Sequence, residues 1–180
     1  MYKLIDQEIE QAKKNNPSGI TLKMNSLSDE GMIEKLYEAA REGVPVRLII
    51  RGIFCMYSQS KKFKRPIQAI SIVDEYLEHA RVWVFHNRGK EKVYISSADW
   101  MLRNLEHRVE VTCPIWNKEI KKELKDILNI QLQDNVKARI LDNELCNEYV
   151  NTTKKKIRSQ VETYDYLFKK TLTQIETGSH

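Results

Sequence analysis

Residues 19–50, "GITLKMNSLSDEGMIEKLYEAAREGVPVRLII", constrain the fold more than any other stretch of the chain. The β-branched start of "GITLKMNSL" (19–27) predicts a strand. Ser26 with Asp29 three residues later fits a capping box, and the helix it opens runs through Met32, Ile33, Leu36, Tyr37 and Ala40. Gly43 and Pro45 stop that helix, one by tolerating positive φ and the other by being unable to continue it. "VRLII" (46–50) is almost wholly apolar, as a strand buried on both faces should be. Strand, helix and strand in this order form a βαβ unit, whose two strands run parallel through a right-handed crossover.

The remaining segments extend this unit into a mixed β-sheet flanked by helices, an α/β fold. Residues 2–14 predict a short polar helix with Leu4, Ile5, Ile9 and Ala12 on one side. "IQAISIV" (67–73) predicts a third strand. "RVWVFHN" and "EKVYISS" flank Arg88-Gly89-Lys90 as a hairpin, and "HRVEVTCPI" (107–115) predicts a strand ended by Pro114. Ile120, Leu124, Ile127 and Gln131/Leu132 space an amphipathic helix over 117–133. "NVKARILD" suits an edge strand, 157–170 a last helix, and 171–180 a loose tail. Residues 1–170 are thus expected to form one domain.

A chain of 180 residues can bury a core without disulfide or metal support. Its three cysteines, Cys55, Cys113 and Cys146, are an odd number without CxxC spacing, which argues for reduced thiols and against a disulfide framework or zinc site. No apolar run reaches the ~18 residues that span a bilayer, and "MYKLIDQEIEQAKKNN" is too charged for a signal peptide. The net charge of +5 leans toward anionic partners without naming one.

Three places carry groups suited to phosphate chemistry. Arg51 follows the buried strand 46–50 and precedes Gly52. Ligands of open α/β sheets gather at the carboxyl ends of strands, and a guanidinium fork matches phosphate oxygens; an ordinary surface arginine is the competing reading. His79 and Arg81, two apart at the start of a strand, share a face. Imidazole can act as nucleophile or proton carrier near neutral pH beside a cation, although a lone His-x-Arg pair is common in structural roles. In "SSADWMLRNL" (96–105), Ser96 and Ser97 offer hydroxyl and backbone donors to an anion, Asp99 could orient a histidine, and Arg103 adds charge, while Trp100 reads as core. The basic runs 61–65 and 154–158 read as solvated faces, with the first, just after Arg51, better placed to guide a long polyanion. His86 and His107 read as structural, and His180 ends the chain.

Three long blocks, residues 23–52, 71–87 ("SIVDEYLEHARVWVFHN") and 93–115 ("VYISSADWMLRNLEHRVEVTCPI"), together resemble the carboxyl-terminal half of the polyphosphate kinases. The resemblance runs from about residue 2 to 141, and "RSQVETYDYL" (158–167) is similar to that family's closing helix. It implies a phospholipase D-like domain, one of two that each bring a His-x-Lys/Arg element to a shared site. It further implies reversible transfer of the terminal phosphate of ATP to inorganic polyphosphate through a phosphohistidine. On this resemblance Arg51 matches an arginine that contacts nucleotide phosphates, and His79 matches a histidine that assists transfer without accepting the phosphate. Arg81, Arg103 and Arg108 would line the polyphosphate path. Mg2+ would arrive with ATP in the intact enzyme, and no metal ligands are expected on this chain.

The resemblance also implies its partners: ATP or ADP, inorganic polyphosphate and the remaining domains of a parent enzyme. A homo-oligomer is compatible with it, no nucleic acid is expected, and the location implied is the cytoplasm, at most peripheral to the inner membrane. The loop "IFCMYSQSKKFKRPIQAI" departs from the family pattern, which is rich in Pro and Gly and ends in Ser-Glu/Asp-Asn-Ile. The companion domain with the phosphorylated histidine is not in this sequence, so the chain is expected to be a fragment with little kinase activity alone. Two other readings stay open: a phospholipase D-type phosphodiesterase acting as a homodimer, and a non-catalytic polyanion-binding module that uses the 61–65 cluster.

Overall fold

The computed structural model describes residues 1–152 and 155–176, the side chains of Gln174 and Glu176 apart. A seven-stranded mixed sheet in the order β6-β5-β4-β1-β2-β3-β7 forms its centre. β1 (Ile20–Met24), β2 (Val46–Ile50) and β3 (Gln68–Ile72) are parallel neighbours. β4 (Val82–Phe85), β5 (Lys92–Ser96) and β6 (Thr112–Ile115) continue one side antiparallel, and β7 (Ala138–Ile140) closes the other.

The alternation of strand side chains divides the core in two. Ile20, Leu22 and Met24 of β1 point to the face covered by α1 (Tyr2–Lys13) and α2 (Glu30–Arg41), where they meet Ile5, Ile9, Met32, Leu36 and the buried Trp83 and Trp100. Ile49, Ile70, Val82 and Val84 point to the opposite face, against Leu128 of α4 (Lys118–Leu132). α5 (Ser159–Glu176) packs on α4. No helix among the described residues is long and apolar enough to cross a membrane.

Residues 19–50 form the expected βαβ unit, with Gly43 at φ +88° behind α2. The cap differs: Asp29, not Ser26, is the N-cap, its side chain accepting from the Met32 N–H at 2.9 Å. Ser26 is still part of the extended chain leaving β1, where its carbonyl accepts from the Trp100 N–H. Pro114 lies inside β6 opposite Tyr94 and does not end it. β6 is an edge strand, where a missing N–H costs little, and residues 107–111 stay outside the strand. The last helix runs to Glu176, so residues 171–176 are helical where a loose tail was expected; 177–180, with His180, and Lys154 of the second basic run lie outside the described residues. Of that run, Arg158 is no solvated charge but grips Asp74 and Glu75.

The loop from β2 to β3 corrects another expectation. Because β3 is parallel to β2, the chain after Arg51 must travel back to the start of β2 before β3 begins. The basic cluster 61–65 is therefore carried to the opposite end of the sheet from Arg51. There the Lys64 and Arg65 N–H groups donate to the Ala40 carbonyl and the Lys64 ammonium faces Glu42. In that position it cannot guide a polyanion directly to Arg51.

Asp99 joins the strand ends at the Arg51 end of the sheet. Its Oδ1 accepts from the backbone N–H of Asn25 (2.8 Å) and Ser26 (3.3 Å), just past β1, and from Arg81 Nε (3.2 Å), just before β4. Its Oδ2 accepts from Arg81 Nη2 at 3.1 Å. Burial alone would raise the pKa of this carboxyl, but the Arg81 fork and the two backbone donors outweigh it and hold it below the usual carboxylate range. The stability this gives is therefore present above the ordinary carboxylate pKa and is lost as pH falls through the lower, folded value. Asp99→Ala should cost about 2–4 kcal/mol, since it leaves two backbone N–H groups without an acceptor and a largely buried guanidinium with the His79 carbonyl but no carboxylate. Urea unfolding across acidic pH checks both points: wild type loses stability toward acid, and the variant starts lower with a flatter slope. An equal midpoint for the two proteins at neutral pH is the contrary result.

Candidate active site

The carboxyl ends of β1 and β2 and the start of β4 meet at one end of the sheet. The β1–β2 pairing continues past the strands, since the Gly52 N–H donates to the Asn25 carbonyl at 2.7 Å. A Cβ on Gly52 would stand 3.1 Å from that oxygen, so this glycine admits the close approach of the protein's own backbone. Arg51 therefore sits beside Asn25, and its Nε donates to Asn25 Oδ1 at 3.2 Å. Half-buried, it has no carboxylate partner among the described residues.

His79 lies on the far side of β1 from Arg51. It belongs not to a strand but to the irregular residues 73–81 that lead into β4, and it is exposed. β2 and β4 flank β1, so their ends are on the order of 10 Å apart at the usual ~4.8 Å between neighbours. The structure thus brings Arg51 and His79 to the same end of the sheet.

Arg81 is different from what the i, i+2 spacing suggests. Its guanidinium turns to Asp99 and donates its remaining Nη1 bond to the His79 carbonyl at 3.0 Å. It holds the backbone of His79 and makes no hydrogen bond to the imidazole. Asp99, in turn, orients Arg81 and two backbone amides; among the described residues no histidine is hydrogen-bonded to it.

The serines expected to greet an anion are also occupied. The Ser97 hydroxyl donates to Glu110, and the Ser96 hydroxyl lies 2.9 Å from Thr112 Oγ1. Their backbone N–H groups donate to the carbonyls of Val111 and Arg81. Trp100, by contrast, is fully buried against Trp83, as its core reading required. Arg103 on the short helix α3 (Leu102–Glu106) and Arg108 just after it are exposed. Both hang from the connection between β5 and β6, which leaves the sheet at the Arg51 end. Glu110 beside them is bound by Ser97 and Asn104, whose hydrogen bonds hold its carboxyl below the usual range.

Four residues near the site escaped the sequence reading. Lys23 points from β1 to the same face as Ile49 and Val82, and its ammonium donates to Glu78 Oε2 at 2.5 Å and to Gln131 Oε1 at 3.0 Å. Gln131 and Gln160 donate to the two oxygens of Glu78 at 2.8 and 3.0 Å. Burial pulls the Lys23 pKa below its ordinary value against the attraction of Glu78, and the charge of Arg51 pulls the same way. Burial alone would raise Glu78, yet Lys23 and the amide donors keep it below the usual range. A lysine in the otherwise apolar "ITLKM" was the available signal, because a buried charge demands a partner. For a metal, the group Asp142, Glu144 and Cys146 has ligand atoms within 4.8 Å of one another, but it follows β7, and Glu78 and Asp99 at the site are already paired.

Comparison with known proteins identifies the family and the fold. The family model described as polyphosphate kinase C-terminal domain 2 matches residues 1–160. Polyphosphate kinase of Escherichia coli strain K12 is 46% identical over 177 residues, which cover 98% of this chain and 25% of that protein. The crystal structure of polyphosphate kinase from Porphyromonas gingivalis superposes with a TM-score of 0.92 at 45% identity, covering 95% of this chain and 26% of that one. Nuc from Salmonella typhimurium, a phospholipase D family member, aligns with a TM-score of 0.53 at 14% identity over 75% of this chain and 89% of its own, a likeness of fold alone. The chain spans about a quarter of the length of the polyphosphate kinases it matches. With the family model matched over residues 1–160 and a relative 46% identical over 98% of the chain, the chain belongs to the polyphosphate kinase C-terminal domain 2 family.

Proposed function

We propose that this chain forms one wall of the phosphoryl-transfer site of a longer polyphosphate kinase, which reversibly moves the terminal phosphate of ATP to inorganic polyphosphate. The observation that supports this most directly is that Arg51 and His79 lie at the same end of the sheet, on either side of the carboxyl end of β1. In this reading a histidine of a companion domain attacks the γ-phosphorus in line. The new P–N bond forms as the bond to the β–γ bridging oxygen breaks, and ADP leaves. A terminal oxygen of polyphosphate then attacks the phosphohistidine, and the P–N bond breaks.

Arg51 offsets charge on the transferring and leaving phosphates. His79 donates a hydrogen bond to the developing charge or carries a proton. Exposed Arg103 and Arg108 suit the approach of the polymer, whereas Arg81 serves it indirectly, by fixing the His79 backbone. Mg2+ bound with ATP would neutralise phosphate charge; Glu78 and Asp99 are each paired with a cation of this chain. The parent would work in the cytoplasm.

Because phosphoryl transfer rests on positioning and electrostatics, one well-placed arginine can be worth ~10³–10⁵ in rate. Arg51→Ala in the full-length enzyme should nearly abolish ATP formation from polyphosphate and ADP while the urea midpoint of this domain holds. A loss of less than about tenfold would remove Arg51 from the reaction. His79→Ala should slow transfer yet permit labelled phosphate to accumulate on the enzyme. Labelling as absent as in the companion-domain nucleophile variant would make His79 the acceptor instead. Metal-free hydrolysis of a chromogenic phosphodiester by this chain alone would favour a phosphodiesterase.

A further inference from the structure

Residues 73–81 present His79, yet they have no regular secondary structure. Their apolar side chains do not anchor them either: Val73, Tyr76 and Leu77 are 68%, 68% and 69% exposed. Polar contacts hold the segment instead, and most come from the start of α5. Arg158 donates to both Asp74 oxygens, at 2.8 and 2.7 Å, and to Glu75 at 3.1 Å.

Gln160 then grips Tyr76 on both sides. Its Nε2 donates to the Tyr76 carbonyl at 2.7 Å, and its Oε1 accepts the Tyr76 N–H at 3.0 Å. One side-chain amide thus pairs with this residue as a neighbouring strand would. The same Nε2 reaches Glu78 Oε1 at 3.0 Å, while Lys23 and Gln131 hold the other oxygen of Glu78. Past the histidine, Arg81 holds the His79 carbonyl. Contacts fall on residues 74, 75, 76, 78 and the carbonyl of 79; the imidazole itself has no hydrogen-bond partner among the described residues.

We infer that Gln160 is a positioning residue for His79, bracing the irregular segment against α5 through Tyr76 and Glu78; this rests on the reading of His79 as a site histidine. The reason is geometric: a displacement of about 1 Å in a reacting group can cost ~10²-fold in rate, and nothing apolar fixes this backbone. Docking of α5 is a separable matter. It has its own anchors in the Ser159 N–H to Asp134 (2.7 Å), Tyr166 to Asp126 (2.8 Å) and Lys170 to Glu123. A brace and a helix dock therefore predict different results.

Amide exchange and a tripolyphosphate titration, both read by NMR on this chain, make the test. In Gln160→Ala the Tyr76 amide should exchange at least ~10-fold faster while amides of 161–172 keep their protection. Tripolyphosphate should move the His79 ring resonances with affinity at least ~10-fold weaker than in wild type. In the full-length enzyme kcat per folded enzyme should fall with the KM for ATP unchanged, at a urea midpoint equal to wild type, so that loss of folded protein does not account for it. Unchanged Tyr76 exchange, or unchanged tripolyphosphate affinity, overturns the brace. Should Gln160→Ala undock α5, Gln160→Glu keeps the acceptor for the Tyr76 N–H but loses both donors, and it should show the same affinity loss with α5 protected. A wild-type His79 that ignores tripolyphosphate sinks the site reading of His79, and the exchange at Tyr76 still decides whether Gln160 braces the segment.

Discussion

The carboxylate of Asp99 is the constraint on which this end of the molecule depends. Four donors converge on it from two separate chain segments, Asn25 and Ser26 past β1 and Arg81 before β4, while Asp99 itself lies just past β5. Three strand ends that would otherwise splay as the sheet twists are thereby tied to one point. The tie also sets the course of the chain beyond β1. Leaving that strand, it runs as a rail between two loops, with Leu27 bridging to Phe54 on one side and Trp100 on the other. Arg51 and His79 keep their separation because the rail between them is fixed.

The fold was legible where local pattern and global topology coincide. The apolar run 46–50 and the capped, Gly-terminated helix before it left a βαβ unit as the consistent reading, and β1 and β2 pair in that way. Arg51 was legible for the same reason, since a strand end in such a unit is a fixed address. His79 was singled out by its spacing to Arg81 and then by the family blocks, but its place ahead of β4, in an irregular segment, could not be read from an i, i+2 spacing.

What stayed hidden was hidden by distance along the chain. Nothing in "SSADW" says that Glu110 would engage Ser97 or that Arg81 would engage Asp99, because each is a choice of partner made by the folded sheet. The basic cluster 61–65 was misplaced because proximity in sequence to Arg51 stood in for proximity in space. A parallel connection reverses that inference, since it must carry its middle back along the whole strand. Pro114 misled in a milder way: proline breaks a central strand but is at home on an edge, and edges are decided by the sheet order.

The pairing pattern also decides which charges near Arg51 are matched and which are not. Three acidic groups lie near the site, and each is bound inward: Asp99 by Arg81, Glu78 by Lys23, and Glu110 by the Ser97 hydroxyl and the Asn104 amide. Arg51, Arg103 and Arg108 have no such carboxylate partner among the described residues. Glu110 differs from the other two carboxylates: its donors are neutral, so its charge stays in place and is felt by Arg108 and Arg81. Losing Lys23 or Arg81 would likewise leave Glu78 or Asp99 as an uncompensated carboxylate at this end of the sheet. The contacts that hold the frame together here therefore also set its local charge.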